Sequence, residues 1–174
     1  MQKGTVEIIA ADDSHYPVIR GIALRTWPVT FARILSQAQI DYMLNWLYTE
    51  ASLREQVQGQ GHTFLLAKVA GAYAGFASCQ PGYKDTGKTK LHKLYVVPEA
   101  QGHGVGRFLV DAVIAIARRH GNPALLLNVN RHNEAIRFYH RLGFNVVAGE
   151  DIPIGNGFVM EDYVMEKVLA ATPS

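Results

Sequence analysis

The sequence has only one cysteine, Cys79, which excludes an internal disulfide framework and agrees with a reducing compartment. It has little charge: 18% of residues are charged and the formal net charge is +2. That is too weak a field to imply a nucleic-acid or membrane partner. No apolar run approaches the roughly 18 residues of a membrane span. Met1–Ala11 is too polar and too short for a secretory leader. A cytoplasmic protein is the expectation. The seven histidines show no H-E-x-x-H or other ligand spacing, so no metal is expected. Repeats, low-complexity tracts and linkers are missing as well. Two nucleotide motifs also fail: there is no Walker loop, and Gly102-x-Gly104 is followed three residues on by Arg107, which breaks G-x-G-x-x-G.

What is present is a chain of 174 residues, 48% of them apolar, enough to fill one core. A single domain over residues 1–174 is expected. Phe76, Ala77 and Ser78 around Cys79 read as a buried strand thiol rather than a reactive one. Lys84, Lys88, Lys90 and Lys93, interrupted by Asp85 and Gly87, read as a solvated loop entering a strand.

Periodicity divides the chain. Thr5–Ala10 alternates as a strand. Asp12, Asp13 and Ser14 can cap a helix through about Leu24, which Pro28 interrupts. Ser36 caps a second helix with Ile40, Met43, Leu44 and Leu47 on one face, and a third runs from Glu50 to about Gln58. Strands follow at Thr63–Val69, Tyr73–Cys79 and Leu91–Val97, then a helix over Val105–His120. Leu125–Val129 is a strand, Asn133–Leu142 a helix, and Phe144–Ala148 and Phe158–Leu169 complete the strands. The central strand–helix–strand unit predicts a mixed α/β sheet with helices on both faces.

The segment Tyr95–Leu109 carries the most chemistry. A strand ends at Pro98, a turn holds Gly102, Gly104 and Gly106, and a helix begins. Glycines let backbone N–H groups face a ligand without a Cβ in the way, and a helix N-terminus adds free donors and a positive dipole end. Together they suit a pyrophosphate. A tight strand-to-helix connection would use the same residues.

Gln101-Gly-His-Gly104-Val-Gly106 resembles the Q/R-x-x-G-x-G/A acetyl-CoA loop of the GNAT N-acetyltransferases. The preceding LHKLYVVPEA is similar to that family's fourth strand. Asn133 to Phe144, with Tyr139 before Leu142-Gly143-Phe144, resembles its second signature. The resemblance implies a mostly antiparallel sheet of six to seven strands with a splayed central pair. It also implies acetyl-CoA as co-substrate, with Gln101, Gly102, His103, Gly104, Val105, Gly106 and Arg107 around the pyrophosphate. The backbone of Leu94, Val96 and Val97 would pair with the pantetheine arm.

Tyr139 matches the tyrosine that faces the cofactor sulfur in the family. A phenol with a pKa near ~10 stays protonated at neutral pH and can donate to a departing thiolate. Asn133 matches a cofactor asparagine with one residue's offset; without a gap, His132 takes that place, and Asn133 is equally a helix cap. His92 aligns with a glutamate base of some amine acetyltransferases, and alternation puts it on one face with Leu94 and Val96. Freeing the lone pair of a primary ammonium at pH 7 costs roughly 4 kcal/mol, which gives such a site a reason to hold a base. Ordinary packing is the other reading of His92. Asn128 stands where ribosomal-protein N-acetyltransferases of the family carry a glutamate, so that route is in doubt here.

The segment TWPVTFARILS resembles the N-terminal region of the polyamine-acetylating branch. It implies Trp27 and Phe31 as acceptor-binding residues, with Thr30, Arg33 and Tyr42 as further wall candidates. Glu161 and Asp162 could attract a cationic amine or simply be solvated. The expected activity is acetyl transfer to a small amine or polyamine, with a homodimer left open. Protein N-terminal or lysine acetylation is the alternative, and a non-catalytic acetyl-CoA-binding module is the alternative of another class.

Overall fold

The computed structural model describes residues 4–171; Met1–Lys3, the start of the segment judged too polar for a leader, and residues 172–174 lie outside it. Seven strands form one sheet in the order β1-β2-β3-β4-β5-β7-β6. They are β1 (Val6–Ala10), β2 (Thr63–Val69), β3 (Ala72–Gln80), β4 (Thr89–Val96), β5 (Ala124–Asn130), β6 (Asn145–Gly155) and β7 (Phe158–Val168). Every neighbouring pair is antiparallel except β4 and β5. Five helices accompany them: α1 (Tyr16–Thr30), α2 (Gln37–Leu47), α3 (Glu50–Gln58), α4 (Val105–Arg119) and α5 (Ala135–Arg141). The mixed, mostly antiparallel sheet is as expected.

Local chemistry fixes the helix starts. The Asp12 carboxylate accepts from Ser14 N at 2.9 Å ahead of α1. Ser36 Oγ caps α2 through Gln39 N, and Thr49 Oγ1 caps α3 through Ser52 N, both at 3.1 Å. One helix end departs from the sequence reading. α1 continues through Pro28 to Thr30. Pro28 removes the donor that would reach the Leu24 carbonyl, but Leu24 is 47% exposed, so water can serve that group. Trp27 is 3% exposed, and its burial favours completing the turn.

The core lies on both sides of the central strands. Phe64 and Phe76 pack together, Phe76 also meets Tyr48, α1 lies against β3 and β4, and α4, with Leu109, Val110 and Val113 buried, meets the sheet. Cys79 is fully buried in β3, and burial pushes its thiol up to about 12, as suits a packing residue.

Candidate active site

β4 and β5 run side by side only where Thr89–Leu91 pairs with Leu125–Leu127. Beyond that point each strand keeps its other neighbour, β3 following β4 to Val96 and β7 following β5 to Asn130. The sheet therefore opens at its centre, and a cavity of about 1330 Å³ passes through the opening.

Backbone direction decides which β4 residues face this gap. The Val97 N–H donates to the Ala74 carbonyl at 2.8 Å, on the β3 side. Alternation turns the Val96 and Leu94 peptide groups the other way, and the Val96 carbonyl accepts from Gln101 Nε2 at 3.2 Å. Leu94 and Val96 line the cavity. Val97 does not; it is 2% exposed and its N–H is already bonded, which corrects its place in the expected pantetheine ladder.

The turn after β4 has the backbone that glycine permits. Gly102 has φ +82° and Gly104 φ +79°, both in the left-handed region. Gly104 is the N-cap of α4 and offers no capping side chain, so the first helical N–H groups stay free for an anion. A Cβ on Gly106 would stand 3.1 Å from Phe138 Cζ, so glycine there lets α4 and α5 approach closely. Gln101, Gly102, Gly104, Val105, Gly106 and Arg107 all line the cavity. His103 is exposed and is not among the lining residues, a departure from the expected set, because the turn points its side chain outward.

On α5, Tyr139 lines the cavity, 8% exposed, with its ring against Phe138 and Phe144. Burial alone holds its phenol above the usual 10, so it is protonated throughout the neutral range. Asn133 also lines the cavity; its Oδ1 accepts from Ala135 N at 2.9 Å at the start of α5, the capping role its sequence position allows.

The other mouth is aromatic. Trp27 and Phe31 pack with tilted rings at 4.5 Å between centroids, and Trp27 Nε1 donates to Tyr48 Oη at 3.2 Å. Tyr95 of β4 packs on Trp27 at 5.7 Å. Tyr48 and Tyr95 are site residues the sequence reading missed; Tyr95 was visible only as one apolar strand position. Thr30 and Arg33 line the cavity, while Tyr42 does not: its hydroxyl donates to the Ile154 carbonyl at 2.7 Å and ties α2 to β6.

His92 sits at an irregularity. The β3–β4 ladder pairs Ser78 with Lys93 and Cys79 with Leu91, leaving His92 without a partner. The strict alternation with Leu94 and Val96 is interrupted at this bulge, yet His92 lines the same cavity as both. Its ring stacks on His62 at 4.0 Å, and its Nε2 lies 2.9 Å from Gln80 Oε1. Burial, then His62 and the nearby lysines, push its pKa down to about 2. The basic run is also not a solvated loop throughout. Lys90 and Lys93 are 8% and 9% exposed, with their ammonium groups on Asn128 Oδ1 and Gln56 Oε1, because β4 begins at Thr89 and takes both inward. At the far wall, Glu161 is exposed beside His132, whereas Asp162 lines the cavity and is 7% exposed. Among the described residues no group of three or more His, Cys, Asp or Glu could hold a metal, and no helix is long and apolar enough to cross a membrane.

Comparison with known proteins agrees with this geometry. The profile of the acetyltransferase (GNAT) family matches residues 19–144. An L-methionine sulfoximine/L-methionine sulfone acetyltransferase of Salmonella typhimurium is 36% identical over 91 residues, covering 51% of this chain and 53% of that protein, so the chain spans about half that relative's length. A spermidine N(1)-acetyltransferase of Thermoplasma acidophilum is 30% identical over 146 residues, 80% of this chain and 86% of the relative. The crystal structure of the PaiA N-acetyltransferase of the same organism, in complex with coenzyme A, superposes with a TM-score of 0.78 at 24% identity over 94% of this chain and 99% of that one. An anion-ready glycine turn, a split strand pair and the family match over most of the chain lead to one conclusion: this chain belongs to the GNAT acetyltransferase family.

Proposed function

We propose that this enzyme acetylates the primary amine of a small molecule, with a polyamine-like acceptor first among the candidates. One observation carries the reading. The cavity runs from the glycine turn through the β4–β5 gap to an aromatic chamber, and a buried carboxylate, Asp162, stands in that chamber's wall. A carboxylate with aromatic rings suits an ammonium on an apolar stem. The likeness to a spermidine acetyltransferase over 80% of the chain supports the same class.

The roles follow from position. The turn Gln101–Arg107 would hold the pyrophosphate with free N–H groups and the α4 dipole, and the Leu94 and Val96 peptides would hold the pantetheine arm. Acetyl-CoA supplies the activated acetyl thioester. Tyr139, protonated and buried beside the gap, gives its proton to the departing sulfur. Trp27 and Phe31, both nearly buried, set the chamber's shape from behind. His92 is bound up with His62 and Gln80 and packs the β4 bulge. An imidazole with a pKa near 2 is too weak a base to take a proton from an ammonium.

Free thiol released from acetyl-CoA in the presence of putrescine, spermidine, methionine sulfone and a peptide bearing a free N-terminus tests the reading. Turnover should be fastest with the di- and polyamines. Turnover confined to the peptide would overturn the acceptor class, and none with any acceptor would favour a binding module.

A further inference from the structure

Asp162 is a buried carboxylate held by one oxygen only. It lies on β7 directly across from Asn130 of β5 on one side and Glu150 of β6 on the other. Asn128 Nδ2 donates to Asp162 Oδ2 at 3.2 Å and to Glu150 Oε2 at 3.1 Å. Asn128 Oδ1 in turn accepts from the Lys90 ammonium, which fixes which way the amide points. The second carboxylate oxygen, Asp162 Oδ1, is buried with no hydrogen-bond partner. An anionic oxygen left so is costly unless something else fills the position, and Asp162 lines the acceptor chamber.

Resting on the amine-acceptor reading, we propose that Asp162 receives the acceptor's ammonium at Oδ1 and takes a proton from it, with Asn128 and Lys90 as the residues that position the carboxylate. The location suits the reaction. Asp162, Tyr95 and Tyr139 all line the one cavity, so the carboxylate and the phenol that protonates the sulfur face the same space. The step balances as follows. One ammonium proton passes to Asp162 and later to water. The freed lone pair forms the N–C bond while the thioester C–S bond breaks. Tyr139 gives its proton to sulfur and recovers one from the acylated nitrogen, leaving a neutral amide, a thiol and an unchanged tyrosine.

The surroundings keep Asp162 competent. Burial raises its pKa above the usual 3.8, and Glu150 adds to this; the Asn128 hydrogen bond, Lys90 and Arg131 act in the opposite direction. Among the described residues these are the charged groups that bear on it from β4, β6 and the turn after β5. A carboxylate raised in this way is a better base than a free one.

Three measurements test the assignment. First, kcat/KM of the wild-type enzyme is followed against pH with 1,4-diaminobutane and with the less basic glycinamide. A protein base gives both acceptors the same acid limb, whereas ionisation of the amine itself moves the limb with the acceptor. Second, Asp162→Asn keeps the shape and the Asn128 contact but cannot accept a proton. Its kcat/KM should fall by about 10²-fold or more, with the acid limb gone. Third, calorimetry should give Asp162→Asn unchanged affinity for acetyl-CoA and weakened binding of 1,4-diaminobutane to the coenzyme A complex. If the wild type turns over no amine, the acceptor reading falls and this role falls with it. If the wild type works and Asp162→Asn stays within about threefold with its acid limb intact, Asp162 alone is overturned. Should the asparagine variant fail to fold, an acid limb that follows the acceptor in the wild type overturns the role just as firmly.

Discussion

Lys93 is 9% exposed, its ammonium 2.6 Å from Gln56 Oε1, and none of the ion pairs among the described residues includes it. Burial lowers its pKa from 10.5 to about 7. The unfolded chain therefore binds this proton more tightly than the native one, and stability must rise with pH between those two values. Linkage with about 7 and 10.5 as the folded and unfolded values gives a penalty of roughly 5 kcal/mol at pH 6.5 and roughly 2 kcal/mol at pH 9, a gain of a few kcal/mol across that interval. Lys93→Met removes the titration. It also leaves Gln56 Oε1 without its donor, a cost of about 1–3 kcal/mol that does not depend on pH. Urea unfolding of wild type and Lys93→Met at the two pH values isolates the effect, since all other groups cancel in the difference. The wild type should gain about 2 kcal/mol relative to the variant on going to pH 9. A wild-type-minus-variant difference that stays constant would refute the reasoning, and would mean that water or an unseen rearrangement solvates the ammonium.

Other outcomes follow from the same structure. Gly104→Glu places a side chain at φ +79° and a negative charge where the anion belongs, so acetyl-CoA binding by calorimetry should be largely lost while circular dichroism shows the fold retained. Tyr139→Phe keeps the ring packing on Phe138 and Phe144 and removes the proton; kcat should fall ~10²–10⁴-fold with acetyl-CoA affinity little changed, and a variant within about twofold would return Tyr139 to the core. His92→Gln should leave the acid limb of the pH–rate profile in place, because the imidazole is already neutral; disappearance of that limb would restore His92 as the base. Below neutrality His62, held near 4 chiefly by burial, should make the fold acid-sensitive: its neutral form is favoured in the native state, so stability is lost as pH falls from about 6.5 toward 4, and His62→Phe should reduce that loss in urea titrations.

The sequence displays local chemistry well and long-range pairing poorly. Thr63–Val69 reads as a strand and is one, because the run and its bounding glycines act within a few residues. The glycine turn is legible for the same reason: left-handed backbone at Gly102 and Gly104 is a local demand. β6 was expected to end at Ala148 but continues through Gly149 and Pro153 to Gly155. As the edge of the sheet, β6 does not need the Pro153 N–H. The β4 bulge at His92 depends on where β3 slips, which no pattern within β4 announces. Lys90 and Lys93 look solvated in sequence because their partners, Asn128 and Gln56, come from β5 and α3. Glu161 and Asp162 are indistinguishable as neighbours; the sheet turns one outward to His132 and the other into the chamber.

The most direct test is a single turnover with acetyl-CoA labelled in the acetyl carbonyl, in the presence of excess 1,4-diaminobutane and at enzyme concentrations above that of the labelled donor. After quenching, the label is partitioned between small-molecule amide, protein and free acetate. Nearly all of it should appear as the monoacetylated diamine, and Tyr139→Phe should slow its arrival without changing where it goes. Label retained on the protein, released as acetate, or left on coenzyme A would contradict transfer to a small primary amine.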